Sequence, residues 1–183
     1  MISVSEIREA LERYLMRLPG ERQALWPLTK SIAEGAQLTL RTEFGGHVTT
    51  GAVVLDPAWR VLHVKHRALG HWLLPGGHLE RQDESLMDAT LRELHEETGI
   101  GVAAVQPLSE FEGVPLDIDI HRIPCRFEMD EPEHWHFDFR HVFKTSSGSV
   151  VLHLGELTDY RWLPVERMSA SRLAVKLKGL QGT

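Results

Sequence analysis

The stretch from Gly76 to Ile100 constrains the fold more than any other part of the chain, because it joins a Gly-Gly turn to an acidic, helix-forming segment. Glu93, Glu96 and Glu97 are three and four residues apart, so they lie on one face of an α-helix. Like charges at this spacing repel each other. Since hard divalent cations such as Mg²⁺ prefer oxygen ligands, the pattern indicates a metal site, with a solvated acidic face as the simpler alternative.

The residues that flank these carboxylates favour the metal site. Arg92 directly precedes Glu93, and Glu84 lies two helical turns before Arg92, so Glu84 and Arg92 can share a helix face and form an ion pair. Gly99 follows the acidic cluster at the position where helices end in a left-handed residue. A solvated acidic face by itself does not explain this combination.

The whole stretch resembles the box motif of the Nudix hydrolase family. That motif runs Gly, five residues, Glu, seven residues, and then Arg-Glu-apolar-any-Glu-Glu-any-Gly-apolar. Gly77 opens the match, Glu84 follows, and the segment from Arg92 to Ile100 matches every fixed position. One extra residue separates Gly77 from Glu84, and Asp83 occupies the strict position. We expect the extra residue to fall in the loop before the helix, where insertions are tolerated.

The resemblance implies an α/β class, a Nudix-type α/β/α sandwich with a mixed sheet. It further implies hydrolysis of the pyrophosphate bond in a nucleoside diphosphate linked to another group, with water as nucleophile and Mg²⁺ or Mn²⁺ as cofactor. The alternative is a non-catalytic module of the same fold that binds a nucleotide for regulation. Such modules typically lose box carboxylates, and this chain keeps Glu93, Glu96 and Glu97.

The resemblance also assigns expected roles to individual residues. The metal ligands would be Glu93, Glu96, Glu97 and the carbonyl of Gly76. Arg92 resembles the arginine that orients the glutamates, with Glu84 as its partner. The expected structural residues are Glu84, Gly77 and Gly99, and the expected catalytic residues are Arg92, Glu96, Glu97 and Glu156.

Two residues are candidates for the general base that accepts a proton from water. Glu96 is the candidate within the box. Glu156 is the candidate from a later loop, and its position six residues before Trp162 resembles the late-loop glutamate of mutator-type nucleotide hydrolases. A solvated loop acid is the simpler interpretation of Glu156.

The segment 133–141 is predicted to be an amphipathic strand, because polar and aromatic residues alternate along it. We predict that its polar face forms a wall of the substrate site, where Arg140 and His136, joined by His121 of the preceding strand, contact phosphate or ribose. A second metal site formed by His134 and His136 is the alternative.

Hydrophobic periodicity predicts the remaining elements. Residues 1–40 are expected to be an N-terminal helical extension that packs on the core or on a partner subunit, and residues 41–183 the Nudix hydrolase domain. Ser3 and Glu6 resemble a helix capping box. The predicted helices are 3–18, 21–34, 84–98 and 164–178, and the predicted strands are 47–55, 61–65, 72–74, 101–112, 116–123, 136–145, 149–153 and 158–163.

Composition limits the class of partner. A net charge of −6 is unlike the basic surface of a protein that binds a nucleic-acid polymer, so we expect a small nucleoside diphosphate derivative instead. No apolar run approaches the roughly 20 residues that span a bilayer, and we expect no membrane partner. The single cysteine, Cys125, fits a reducing cytoplasm and is expected in the core or a strand. A homodimer is a further expectation.

Overall fold

Helices lie against both faces of one mixed β-sheet in the computed structural model of the protein, which describes residues 1–126, 130–146, 148–168 and 171–181. The helices are α1 (Val4–Arg17), α2 (Trp26–Ala33), α3 (Leu86–Thr98) and α4 (Arg172–Leu180). The strands are β1 (His47–Leu55), β2 (Arg60–His66), β3 (Trp72–Leu73), β4 (Gly76–His78), β5 (Val105–Pro107), β6 (Asp117–Ile123), β7 (His134–Thr145) and β8 (Leu157–Pro164). The predicted α/β class with a mixed sheet is confirmed.

The centre of the sheet is the parallel pair β1 and β7. Their register runs from His47 opposite His136 to Leu55 opposite Lys144, over the whole of β1. On one side of this pair β7 also binds β6 and β5, both antiparallel. On the other side β1 binds β4 in its middle and touches β2 only at Leu55, so the sheet opens between them. The short strand β4 therefore ends up beside the middle of β1.

Side chains of β1 alternate between two hydrophobic layers, as expected for a strand buried on both faces. Val48 packs with Phe137, Phe139 and residues of α1, α2 and α3. Val53 and Leu55 instead pack with Leu173 and Leu177 of α4. The sheet thus has an α3 face and an α4 face, and these names are used below.

The N-terminal helices belong to the same core as the sheet. The predicted capping box starts α1, since Ser3 Oγ accepts a hydrogen bond from the Glu6 N–H at 3.2 Å and the Glu6 carboxylate accepts one from the Ser3 N–H at 2.6 Å. Ile7, Leu11 and Tyr14 are buried in the cluster that also contains Phe137. Packing on the core, the first of the two roles expected for this extension, is therefore observed.

Three predicted elements differ from the structure by more than two residues in their bounds. The second helix begins at Trp26 rather than near residue 21, after a 3₁₀ turn at Pro19–Glu21, and Pro27 fits its first turn. Pro164 ends β8 instead of starting the last helix, which begins at Arg172 after the N-cap Ser171. Residues 169 and 170 of that predicted helix lie outside the described residues. The strand predicted over 101–112 is reduced to Val105–Pro107.

Two further predictions are wrong. The segment 149–153 is not a strand; the N–H groups of Val151 and His153 bind the carbonyl oxygens of Thr98 and Glu97, at 2.8 and 3.0 Å. These bonds satisfy carbonyl groups that the last turn of α3 leaves without helical partners. Cys125 lies beyond the end of β6 and is exposed rather than buried.

Candidate active site

The Gly-Gly turn forms β4 and lies between β1 and α3, where backbone must approach backbone closely. Gly76 pairs with Gly51 of β1, and a side chain at Gly76 would place its Cβ 2.1 Å from the Thr50 carbonyl oxygen. A Cβ at Gly77 would lie 2.5 Å from Glu93 Oε1. Only glycine therefore lets the first turn of the motif lie directly against the acidic helix.

The ends and the buried face of α3 fix the direction in which its glutamates point. Ser85 Oγ accepts a hydrogen bond from the Asp88 N–H at 3.1 Å and caps the start of the helix. Gly99 ends it in the left-handed conformation, with φ of 68°, as predicted. The helix buries Leu86, Ala89, Thr90 and Leu94 against the sheet, so the face with Glu93 and Glu97 turns toward β4.

Arg92 connects the acidic helix to the loop before it. Its Nη1 donates to Glu93 Oε1 at 3.0 Å and to Glu96 Oε2 at 3.1 Å. Its Nε and Nη2 donate to the two carboxylate oxygens of Asp83, at 2.9 and 3.0 Å. Nη2 also binds the carbonyl oxygen of His78. Arg92 thus orients two of the three glutamates, which is the role expected for it.

Asp83, and not Glu84, is the partner of Arg92, which corrects the expected Arg92–Glu84 pair. Glu84 is exposed, whereas Asp83 is buried. Burial opposes the ionisation of Asp83, but hydrogen bonds from Arg92 and from the Glu80 N–H outweigh it and lower its pKa. The extra residue of the motif thus lies at the junction of loop and helix, where the helix register no longer fixes which acid faces Arg92.

Glu97 is the least compensated charge of the site. Its side chain is only 8% exposed, and it accepts a hydrogen bond from the Gly76 N–H at 3.0 Å. Burial, followed by the charges of Glu93, Glu156 and Glu96, raises the pKa of Glu97 to about 8. Burial also raises the pKa of Glu93, although Arg92 acts against it. The fixed cation of the site therefore does not balance these two carboxylates.

This arrangement fits a hard divalent cation. Glu93 and Glu97 are partly or fully buried acids that repel each other, and a bound cation reverses the electrostatics of such a site. Carboxylate and carbonyl oxygens are the donors that Mg²⁺ and Mn²⁺ prefer. Because Gly76 and Gly77 have no side chains, the oxygens of Glu93 and Glu97 lie next to the backbone of β4, which also carries the Gly76 carbonyl.

The two candidate bases occupy different surroundings. Glu96 is 55% exposed and bound to Arg92. Glu156 is exposed in the loop before β8, and its backbone carbonyl accepts a hydrogen bond from the Arg67 N–H at 2.8 Å. The charge of Glu156 contributes to the raised pKa of Glu97, so this loop acid lies near the carboxylate site.

Arg140 lies on the α4 face, away from the box glutamates, and its donors are already bound. Its Nε donates to Asp138 at 2.8 Å, Nη1 to Asp117 at 3.1 Å and Nη2 to Asp119 at 2.9 Å. Burial opposes its charge, but the three carboxylates outweigh this and raise its pKa. The geometry favours a structural role for Arg140 over the predicted phosphate contact.

The histidines predicted near the substrate also lie on the α4 face. His121 of β6 is opposite His136 of β7, and their ring centroids are 5.5 Å apart. His121 Nδ1 lies 3.0 Å from Asp119 Oδ2. His134 and His136 approach His47 and His78, two histidines that no sequence motif marks. The partners of His47 are distant in sequence, so only the pairing of β1 with β7 brings them together.

The fold and the site together define an α/β/α sandwich in which a Gly-Gly turn lies against a carboxylate-rich helix. A family comparison identifies the class. The family described as NUDIX domain matches residues 45–180, and the chain belongs to this family. The match includes the whole box, and the resemblance noted in the sequence is confirmed.

Individual relatives support the same assignment. The chain is 32% identical over 85 residues to a probable DHNTP pyrophosphohydrolase of Lactococcus lactis, a match that covers 46% of each chain. It is 38% identical over 120 residues to the human m7GpppN-mRNA hydrolase NUDT17, covering 66% of this chain and 31% of the human one. The chain thus spans less than half the length of these curated relatives.

A solved structure shares the fold at low sequence identity. An Ap4A hydrolase from C. elegans superposes with a TM-score of 0.57 at 16% identity, covering 74% of this chain and 97% of the other. A likeness at this identity concerns the sandwich architecture. No helix in the described part of the chain combines the length and the apolar character needed to cross a membrane.

Proposed function

We propose that the protein is a Mg²⁺- or Mn²⁺-dependent hydrolase that cleaves the pyrophosphate bond of a nucleoside diphosphate linked to another group. The observation that carries this proposal is the pair Glu93 and Glu97, buried beside the Gly76 backbone with too little fixed positive charge to balance them. The names of the relatives, a pyrophosphohydrolase and hydrolases of capped mRNA and Ap4A, agree with a nucleotide substrate.

The residues of the site would have three roles in such a reaction: holding the cation, orienting the glutamates and accepting a proton. Glu93, Glu97 and the Gly76 carbonyl would hold the cation, with Glu96 as a further ligand or a contact through water. A bound divalent cation would polarise the phosphoryl oxygens and lower the pKa of a water molecule. Arg92, anchored by Asp83, keeps Glu93 and Glu96 in place.

The proton of the attacking water needs an acceptor, and we propose Glu156 for this role. It is exposed, it has no fixed cation on its side chain in the described contacts, and its charge acts on Glu97. Glu96 is the less favoured candidate, because its carboxylate is engaged by Arg92 at 3.1 Å. A positioned general base contributes roughly 100- to 10,000-fold to a rate.

The variants Glu156→Gln and Glu96→Gln separate these two candidates. If Glu156 is the base, Glu156→Gln lowers kcat by about 100-fold or more and removes the acidic limb of the pH–rate profile, while the metal affinity is kept. In that case Glu96→Gln changes mainly the metal concentration required for half-maximal rate. The reverse pattern would assign the base to the box helix.

The function itself is tested by phosphate release from a panel of nucleoside diphosphate derivatives with Mg²⁺ and with Mn²⁺. Members should include ADP-ribose, dinucleoside polyphosphates and nucleoside triphosphates, and Glu97→Gln is the inactive control. We expect turnover that depends on the metal for at least one member. Tight nucleotide binding without turnover across the panel would instead identify a regulatory binding module.

We further propose that residues 1–40 are an extension added to a Nudix domain at 41–183. The family match begins at residue 45, and α1 packs on Val48 and Phe137 through Ile7 and Leu11. The cytoplasmic location and the homodimer stay predictions.

A further inference from the structure

Three histidines converge where the parallel strands β1 and β7 begin. His47 is the first residue of β1, His134 is the first residue of β7, and His136 lies directly opposite His47 in the register. One ring nitrogen of each histidine lies within 4.8 Å of one ring nitrogen of both others. His47 and His134 are buried, with 1% and 5% of their surface exposed.

Backbone carbonyl groups determine which ring nitrogens face the centre of this cluster. Nδ1 of His47 lies 3.3 Å from the Glu43 carbonyl oxygen, and Nδ1 of His134 lies 2.8 Å from the Pro132 carbonyl oxygen. A carbonyl oxygen only accepts hydrogen bonds, so each Nδ1 carries the proton and each Nε2 keeps a lone pair. Both lone pairs are then available inside the cluster.

The inner nitrogen of His47 lacks a protein partner: its Nε2 is buried with no hydrogen-bond partner among the described residues. Nε2 of His134 lies 3.2 Å from Nε2 of His136, which satisfies it only when His136 carries its proton on Nε2. Leaving a buried acceptor without a partner costs about 1–3 kcal/mol. The cluster is therefore costly as it stands, and a ligand that accepts lone pairs would relieve this cost.

A transition-metal ion has the required chemistry. Imidazole nitrogen binds Zn²⁺ at about 2.0–2.1 Å in a tetrahedral arrangement, which separates two ligand nitrogens by roughly 3.3 Å. The 3.2 Å between the Nε2 atoms of His134 and His136 matches this separation. Metal-binding histidines usually donate their second N–H to a carbonyl or carboxylate, as His47 and His134 do here.

We propose that His47, His134 and His136 bind a transition-metal ion, with Zn²⁺ as the best fit, and that His78 is the fourth ligand. The His78 ring lies 5.2 Å from the His47 ring and 5.3 Å from the His136 ring, centroid to centroid.

This histidine site is distinct from the carboxylate site, although one strand contributes to both. Alternate residues of β4 point to opposite faces of the sheet. Gly77 faces Glu93 on the α3 face, whereas His78 faces His47 on the α4 face. Oxygen ligands on one side suit Mg²⁺ or Mn²⁺, and nitrogen ligands on the other suit Zn²⁺. An ion in the histidine site would join the beginnings of β1 and β7 and hold β4 against them.

The test is a Zn²⁺ titration of protein without an affinity tag, in the presence of excess Mg²⁺ to fill the carboxylate site. We expect one Zn²⁺ per chain by elemental analysis after gel filtration, and tetrahedral ligand-field bands when Co²⁺ replaces Zn²⁺. The variants His136→Gln and His47→Gln should each weaken binding by about 100-fold or more, beyond the loss caused by removing a supporting contact. Bound Zn²⁺ should raise the Tm of the wild type but not that of His136→Gln or His47→Gln.

Two controls make each outcome decisive. His71→Gln, which removes an exposed histidine outside the cluster, should bind Zn²⁺ as the wild type does. Glu97→Gln should also keep it, even though its hydrolysis fails. Circular dichroism shows whether the His47 and His136 variants are folded. The proposal is overturned if the wild type binds no stoichiometric Zn²⁺, if folded His136→Gln binds it unchanged, or if Glu97→Gln alone loses it.

Discussion

Two clusters of carboxylates lie on opposite sides of the sheet, and they differ in how their charge is balanced. On the α4 face, Asp117, Asp119 and Asp138 surround Arg140, and Lys176 of α4 also binds Asp117. On the α3 face, Arg92 forms an ion pair with Glu93 through one nitrogen and forms none with Glu97. The first cluster contains its own cations, and the second does not.

The pKa values follow this difference. The hydrogen bond with His121, helped by the charges of Arg140 and Arg172, lowers the pKa of Asp119 to about 2. Burial and neighbouring glutamates raise the pKa of Glu97 to about 8. A cluster balanced by side chains stabilises the fold, whereas an unbalanced one is free to bind a cation from solution. The comparison indicates why the box, and not the aspartate cluster, is the candidate active site.

Replacing Glu97 by Gln tests the unbalanced cluster and should have the largest effect. We expect Mg²⁺-dependent hydrolysis to fall by at least about 100-fold, the lower end of what one positioned catalytic group contributes. The metal-free protein should be as stable as the wild type or more so, because the repulsion is removed. Initial rates and urea denaturation check the two parts. A variant that kept its rate would exclude Glu97 as a ligand.

Replacing Arg140 by Met tests the balanced cluster. Three carboxylates would lose their shared cation, and the arginine side chain is only 18% exposed in the wild type. Breaking a buried ion pair costs about 3–5 kcal/mol. Urea denaturation of Arg140→Met should show this loss, whereas Arg13→Met, at an exposed position of α1, should change stability by less than about 0.5 kcal/mol. If stability were unchanged and KM were raised, the result would instead support the predicted contact of Arg140 with phosphate.

A pair of substitutions at adjacent positions tests how Arg92 is anchored. Asp83→Asn removes the carboxylate that binds two nitrogens of Arg92, and should lower the metal affinity or the rate by about 10- to 100-fold, as supporting partners of metal ligands do. Glu84→Gln, at the exposed neighbouring position, should leave both within error of the wild type. If only the Glu84 variant lost activity, Glu84 would be the functional partner.

Glu97 should also make the stability of the metal-free protein depend on pH. Its pKa rises from 4.5 to about 8 on folding, so between these values the folded state holds more protons than the unfolded state. Stability should therefore fall as the pH rises through this window and level off above it. Urea denaturation in EDTA measures this slope, and either Mg²⁺ or Glu97→Gln should flatten it. A slope that was the same in Glu97→Gln would assign it to another group.

Local patterns in the sequence were sufficient for the box helix and its surroundings. The spacing of Glu93, Glu96 and Glu97, the cap at Gly99 and the capping box of α1 all depend on residues within two turns of each other. Helix periodicity and capping act over such short distances, so a sequence shows them directly. For the same reason the alternation of polar and aromatic residues in β7 predicted which side chains share a face.

What the sequence could not determine depends on contacts between distant segments. Arg92 pairs with Asp83 rather than Glu84 because of the way the loop enters α3. The segment 149–153 does not form the predicted strand because its N–H groups bind carbonyl groups at the end of α3. The parallel pairing of β1 with β7 brings His47 to His134 and His136, and packing of β6 on β7 surrounds Arg140 with carboxylates. The sequence alone determined the family and the acidic helix, because the motif and the helix signals are local. Only the tertiary structure decided which charges are balanced, because that depends on the distances between side chains brought together by strand pairing.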